Sequence, residues 1–465
     1  MDASDASANT SLPRTARLPR IFLVAGVLLT VLAPPTPSSA LGNPYLIRDI
    51  WPHAGSWTQP GGLTNVGGTL FFRANDETHG EELWKSDGTK AGTVMVKDIN
   101  PSGDSTPEYL TSIDGTLFFN ANDGTHGEEL WRSDGTETGT VLVKDINPSG
   151  DSAPSGFADL GSEFLFRAWK ESTGFELWKS EGTKAGTALV KDIKPGAGDS
   201  LPSGLTMVGD TTFFGADDGA TGFELWKSDG TRAGTRRVKD LNPGAATSSP
   251  SYLTNLAGTL FFGANDGTTA GLWKSDGTRT GTRLVKEIAP GGSSPSRLTA
   301  VGSTLFFRAD YYGEELWKSD GTKAGTVMVK DINPRGSSNP TYLTSSGGTL
   351  FFSAYTGWRG FELWRSDGTK AGTVMVKDIN PVIHEGSSPG PFASAGGTLY
   401  FQADDGVTGS ELWESDGTET GTSLVEDIWA GDRGSSPGSF ASASATLFFV
   451  AGDGIHGREL WGAPL

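Results

Sequence analysis

Histidines, tryptophans and loop aspartates carry most of the chemistry that this 465-residue chain could offer, because it contains no cysteine. His79, His126 and His456 each stand five residues before a tryptophan that recurs along the chain. Trp51 and Trp429 share a second phase, with His53 and Trp57 close by in sequence. Tryptophan faces stack on sugar rings or anchor protein partners, and an imidazole adds a hydrogen-bonding group beside them. These seven residues form a candidate ligand-binding cluster. The blander reading is that Trp51 and Trp429 pack a junction while the histidines are solvated.

A second set is acidic. Asp76, Asp123, Asp217, Asp218, Asp266, Asp404, Asp405 and Asp453 lie in Asp/Asn-Asp-Gly stretches that could present oxygen ligands to Ca²⁺. Their spacing falls short of the twelve-residue EF-hand loop, and Asp-Gly is also ordinary turn chemistry. No metal ligand is assigned, and Ca²⁺ is the one cofactor left open. No catalytic residue is assigned either, since no serine can be placed beside a histidine and an aspartate from sequence alone.

The elements that must position these groups come from a repeat. From residue 43 one motif is written nine times, marked by Leu-Trp pairs at Trp84, Trp131, Trp178, Trp226, Trp273, Trp317, Trp364, Trp413 and Trp461, at spacings of 44 to 49 residues. Each copy holds four strand-like pieces, in the second copy Tyr109 to Ile113, Gly115 to Ala121, Glu128 to Arg132 and Thr140 to Ile146. Apolar runs such as Leu117-Phe118-Phe119, bounded by Gly, Asp and Pro, suit strands buried on both faces. A Ser-Asp-Gly-Thr-x-x-Gly-Thr segment such as Ser133 to Thr140 predicts a tight hairpin between the third and fourth pieces. The hairpin is expected to set Glu82 against Val96 or Lys97, giving a cross-strand Glu to Lys pair in most copies.

The first copy is preceded by a fourth-strand piece, Leu46 to Ile50, and the last stops after a third-strand piece, Glu459-Leu460-Trp461. Pairing them completes a blade and closes a ring, which removes exposed sheet edges. The expected fold is all-β, a closed β-propeller of about nine four-stranded blades, monomeric, with residues 41–465 as one domain. An open superhelix or two smaller rings are the alternatives. Closure makes the copies bearing His79, His126 and His456 neighbours.

The strings Glu-Leu-Trp-Lys-Ser-Asp-Gly-Thr-Lys-Ala-Gly-Thr at residues 82–93 and 315–326, with near copies elsewhere, resemble the ELWxxDGT repeat family of secreted bacterial proteins. Glu181 replaces Asp in the third copy, Gly271 replaces Glu in the fifth, and the ninth ends before the turn. The resemblance implies secretion and a propeller-like fold. It implies no activity and no catalytic residues.

Arg14, Arg17 and Arg20 precede the apolar run Ile21 to Ala33 and the small residues Ser38-Ser39-Ala40, the pattern of a signal peptide over residues 1–40. The run is too short to span a membrane, which takes about 20 residues. The expected location is extracellular, or periplasmic in the cell envelope. The whole chain has a formal net charge of −18. That charge disfavours nucleic acid and anionic lipid as partners.

A residue present in every copy is explained by the blade, so function is sought where copies differ. The loops between second and third strands and the linkers from fourth to first strands vary, and propeller topology puts both on one face. Two departures there, Trp169-Lys170-Glu171 and Tyr355 with Trp358-Arg359, read as tolerated loop changes rather than contact residues. The leading expectation is a non-enzymatic secreted scaffold that binds a glycan or protein on this face. A polysaccharide hydrolase or lyase with paired carboxylates and a purely structural envelope protein are the alternatives.

Overall fold

The computed structural model describes residues 41–52, 60–291 and 294–465. They form thirty-six strands in nine four-stranded antiparallel sheets, with no helix among the described residues. In eight sheets the strands follow chain order. The ninth takes its fourth strand, Tyr45–Arg48, from the other end of the chain, paired with Arg458–Pro464. The register sets Tyr45 opposite Gly462 and Leu46 opposite Trp461. First strands of neighbouring blades touch in a closed cycle, blade 9 meeting blade 1, so they surround the axis. The chain is therefore a nine-bladed β-propeller.

Blades 1 to 8 begin at Gly61, Glu108, Ser155, Ser203, Ser251, Ser296, Thr341 and Phe392, and blade 9 at Gly438. The core lies between blades, not within them. Along the second strand of blade 1, Leu70 and Phe72 face blade 9 and pack with Ala443, Phe448 and Leu460. Phe71 faces the other way and joins Leu117, Phe119 and Trp131 of blade 2. The period of two in a strand thus serves two interfaces at once, and nine such clusters fill the nine junctions. Burying each phenylalanine contributes about 2 to 3 kcal/mol.

Polar contacts repeat with the same period. Lys97 Nζ donates to the Thr140 carbonyl of blade 2 and stands 5.8 Å from the Trp131 ring centroid. At the seam Arg48 does the same work, donating to the Thr93 carbonyl at 2.6 Å over Trp84. At the junction of blades 8 and 9 the cation is replaced by Glu426, and blade 9 has no Ser-Asp-Gly-Thr turn to offer a carbonyl. Donor and acceptor are lost together.

The expected Glu to Lys pair does not form. Glu82 is fully buried. Its carboxylate accepts the amides of Ile99 at 2.9 Å and Asn100 at 3.3 Å, and the Ser105 hydroxyl at 2.6 Å. The lysine is drawn to the next blade, while the glutamate gathers the amides that leave the ladder. This also explains why the fourth strand of blade 2 spans Val141–Lys144 and stops short of Ile146: the Ile146 and Asn147 amides bond Glu129 instead. In blade 5, where Gly271 replaces the glutamate, the ladder gains a pair, Gly271 with Glu287.

Candidate functional site

The two faces of the ring are built differently. On one, each Ser-Asp-Gly-Thr turn satisfies itself: Asp87 accepts the Thr89 amide and hydroxyl, and Ser86 bonds Thr93 at 2.7 Å. Its glycine is required by packing as well as by φ, since a Cβ on Gly135 (φ +86°) would lie 3.1 Å from Phe71 Cζ of the preceding blade. The other face carries the linkers and the second-to-third loops, which bond each other. Asp104 Oδ1 accepts the Glu81 amide at 2.7 Å, and the Asn122 amide of blade 2 donates to the Ser105 carbonyl.

On this linker face His79, His126 and His456 occupy one structural position in blades 1, 2 and 9. Each is held by its own loop. His79 Nδ1 lies 2.9 Å from Asp76 Oδ2, His126 Nδ1 2.7 Å from Asp123, and His456 Nδ1 2.6 Å from Asp453. The bond to aspartate raises each imidazole above its ordinary pKa. Burial pushes the aspartates up, but the hydrogen bonds from their own loops outweigh it and hold them low. In blades 4, 5 and 8 threonine takes the histidine's place: the Thr221, Thr269 and Thr408 amides donate to Asp218, Asp266 and Asp405. All eight loop carboxylates named as calcium candidates are thus engaged by their own loop backbone, Asp217 and Asp404 through the Gly219 and Gly406 amides. Among the described residues no three histidines and carboxylates converge as a metal site would require.

Trp51 and Trp429 follow the fourth strands of blades 9 and 8, where Asn100 stands in blade 1. Their amides enter the glutamate clamp, Trp51 N to Glu459 at 3.1 Å and Trp429 N to Glu411 at 3.2 Å. Both side chains are half-buried. The Trp429 ring lies on the next blade's loop, so that a Cβ on Gly454 would fall 2.5 Å from it, and Arg433 stands 6.0 Å from its centroid. Asn100 rests on Gly124 in the same way. Trp429 therefore bridges blades in the manner of the repeat asparagine. His53 and Trp57 lie outside the described residues.

The most exposed tryptophan among the described residues lies elsewhere on this face, at blade 7. Its second-to-third loop replaces Asp76, Thr78 and His79 of blade 1 by Thr356, Trp358 and Arg359. Arg359 bonds Asp378 at 2.6 Å, which leaves Trp358 outermost, 62% exposed. His384, from the long linker to blade 8, stacks on Trp358 with centroids 5.9 Å apart and planes 25° apart. Its Nδ1 donates to the Gly357 carbonyl at 2.8 Å. Arg335, from the linker before blade 7, stands 5.5 Å from the Trp358 centroid. Three chain segments thus converge on one indole.

Two concavities flank Trp358. One of about 450 Å³ is lined by Arg335, Thr356 and His384; the other, of about 250 Å³, by Pro381, Val382 and Ile383. In sequence Trp358-Arg359 stands out as a departure from the repeat, read there as a tolerated loop change. The usable signal was phase: Trp358 stands where blades 1 and 2 carry threonine, and the linker that follows is one of the longer ones.

No protein-family model matches the chain, and no curated protein matches it. Among solved structures it is similar to the computationally designed protein Ika8, at 13% identity and a TM-score of 0.43, over 88% of this chain and 97% of that one. It is similar to puromycin hydrolase at 14% identity and a TM-score of 0.39, over 77% of this chain and 60% of that one. It is also similar to a Mycobacterium tuberculosis puromycin-hydrolyzing peptidase at 11% and 0.42, over 88% and 61%. The chain thus spans about three fifths of the two hydrolases. At these levels no site or activity carries over.

Proposed function

We propose that the chain is a secreted, non-enzymatic binding scaffold that presents the linker face of a nine-bladed propeller to an extracellular glycan or protein. The observation that carries this reading is the contrast in how side chains are used. The recurring acids are spent on architecture, the glutamates on blade junctions and the loop aspartates on their own backbones. Catalysis needs a unique constellation instead. The linker face also leaves aromatic and apolar groups exposed, with Trp358 at 62%, Ile383 at 69% and Tyr312 at 93%. Loops held by a rigid frame are where binding residues concentrate. The basic-then-apolar segment of residues 1–40 supports export, as does the resemblance to secreted ELWxxDGT proteins.

A glycan array and a panel of secreted proteins, probed with the purified chain with and without Ca²⁺, test this reading. The expected result is retention of a ligand that is weakened by substitutions at Trp358, Tyr312 or Trp429. Turnover of a polysaccharide would overturn it, as would retention indifferent to all three.

A further inference from the structure

Building on the linker face as the docking surface, we propose that the 450 Å³ concavity beside Trp358 is a subsite for a uronic acid residue, a pyranose ring bearing one carboxylate. The volume lies within the range of small-ligand pockets. Four groups set the ligand's chemistry.

Trp358 stays 62% exposed with His384 and Arg335 beside it, which leaves part of the indole open to the C–H face of a sugar. Arg335 supplies charge. Among the described residues no carboxylate forms an ion pair with it, and it stands over the indole, whereas its neighbour Arg359 is neutralised by Asp378. Its guanidinium is a fork suited to a carboxylate. His384 is fixed in orientation, because Nδ1 donates to the Gly357 carbonyl, leaving Nε2 for a sugar hydroxyl. Thr356 Oγ1 accepts the Arg359 amide at 3.3 Å and keeps its own proton to donate.

The net charge narrows the ligand further. A chain at −18 repels a long polyanion, so the subsite fits a single uronate at the end of, or within, a largely neutral glycan. A peptide would place apolar side chains against Val382 and Ile383 in the other, 250 Å³ concavity, whose one lining cation, Arg359, is paired with Asp378.

Calorimetric titration of the full chain tests the assignment, using a glucuronate–glucose disaccharide, its uronate methyl ester, and a tetrapeptide with a free carboxylate. The acid disaccharide is expected to bind, and the ester, which lacks the charge, about tenfold more weakly. Arg335→Ala should lose about the same factor, and Trp358→Thr about thirtyfold. Threonine is native to this phase in blades 1 and 2, so the second variant keeps the loop. Equal binding of acid and ester, full affinity in Arg335→Ala, preference for the tetrapeptide, or no binding of the acid would each overturn the uronate assignment. If a ligand from the wider screen is still weakened by Tyr312→Ala or Trp429→Ala, the assignment falls while the linker-face reading stands. If that ligand ignores every linker-face substitution, both fall.

Discussion

His126 in blade 2 and His384 in the linker after blade 7 are the same side chain on the same face of the ring, in opposite roles. His126 is clipped to Asp123 of its own loop, in a position that threonine fills in blades 4, 5 and 8. His384 has no such loop carboxylate. Its Nδ1 is bound to a backbone carbonyl, its ring lies against an exposed indole, and a concavity opens beside it. A histidine that recurs in phase is part of how a blade folds its loop. One that breaks phase, beside a tryptophan that also breaks phase, marks where the surface is unlike the rest. In a ring of similar blades, local departure is therefore more informative than residue type.

The largest effect that can break this contrast lies in the repeat itself. Glu129→Ala leaves the Ile146 and Asn147 amides and the Ser152 hydroxyl without their acceptor. It should cost about 3 kcal/mol of stability, read as a lower unfolding midpoint in urea, with ligand affinity at blade 7 unchanged. A loss of affinity equal to that of Trp358→Thr would mean that junctions and site are not separable.

Next in size is a dependence on pH. Burial pushes Glu82, Glu129, Glu176, Glu362 and Glu459 up to about 7, against the pull of their hydrogen bonds. The folded chain then holds protons that the unfolded chain, with ordinary glutamates near 4.5, has released. Their contribution is greatest below about 4.5 and is lost as pH rises towards 7. The loop aspartates, held low when folded, act oppositely and lose theirs only in more acid solution. Thermal unfolding should accordingly give a Tm at pH 5 above that at pH 8, by about 5 °C. Equal Tm values would show that the clamp keeps its carboxylates ionised.

The smallest expected effect is the sharpest. His126→Thr should change stability by less than about 0.5 kcal/mol, because other blades use threonine there, and should leave ligand binding intact. Trp358→Thr should be equally silent in Tm, since the indole is exposed, yet abolish most binding. If His126→Thr weakened the ligand instead, the cluster of histidines around the seam would be the site after all.

The ring was legible because its determinants are local and repeated. Alternating Leu-Phe-Phe runs, the Asp-Gly turns and the matching strand pieces at residues 46–50 and 459–461 specify blades, hairpins and closure without knowledge of any distant contact. The destination of Glu82 was not legible, because its partners Ile99, Asn100 and Ser105 are amides and a hydroxyl that carry no sequence signature. The blade 7 site was half legible. Trp358 and the long linker are visible as departures, but that Arg335, Trp358 and His384 meet depends on how three loops fold over adjacent blades.

The seam bond from Trp51 to Glu459 has a kinetic meaning. It joins residues 408 positions apart, while its counterpart from Asn100 to Glu82 joins residues 18 apart. For flexible chains that difference in separation adds about 3 kcal/mol of closure entropy. Blades 1 to 8 can assemble in the order in which they are made, whereas the Tyr45–Arg48 strand, made first, must wait for blade 9, made last. Until then both the Tyr45–Arg48 strand and the edge of the last sheet stand open to pairing with other chains. The clasp can therefore complete the ring only after every blade has been made.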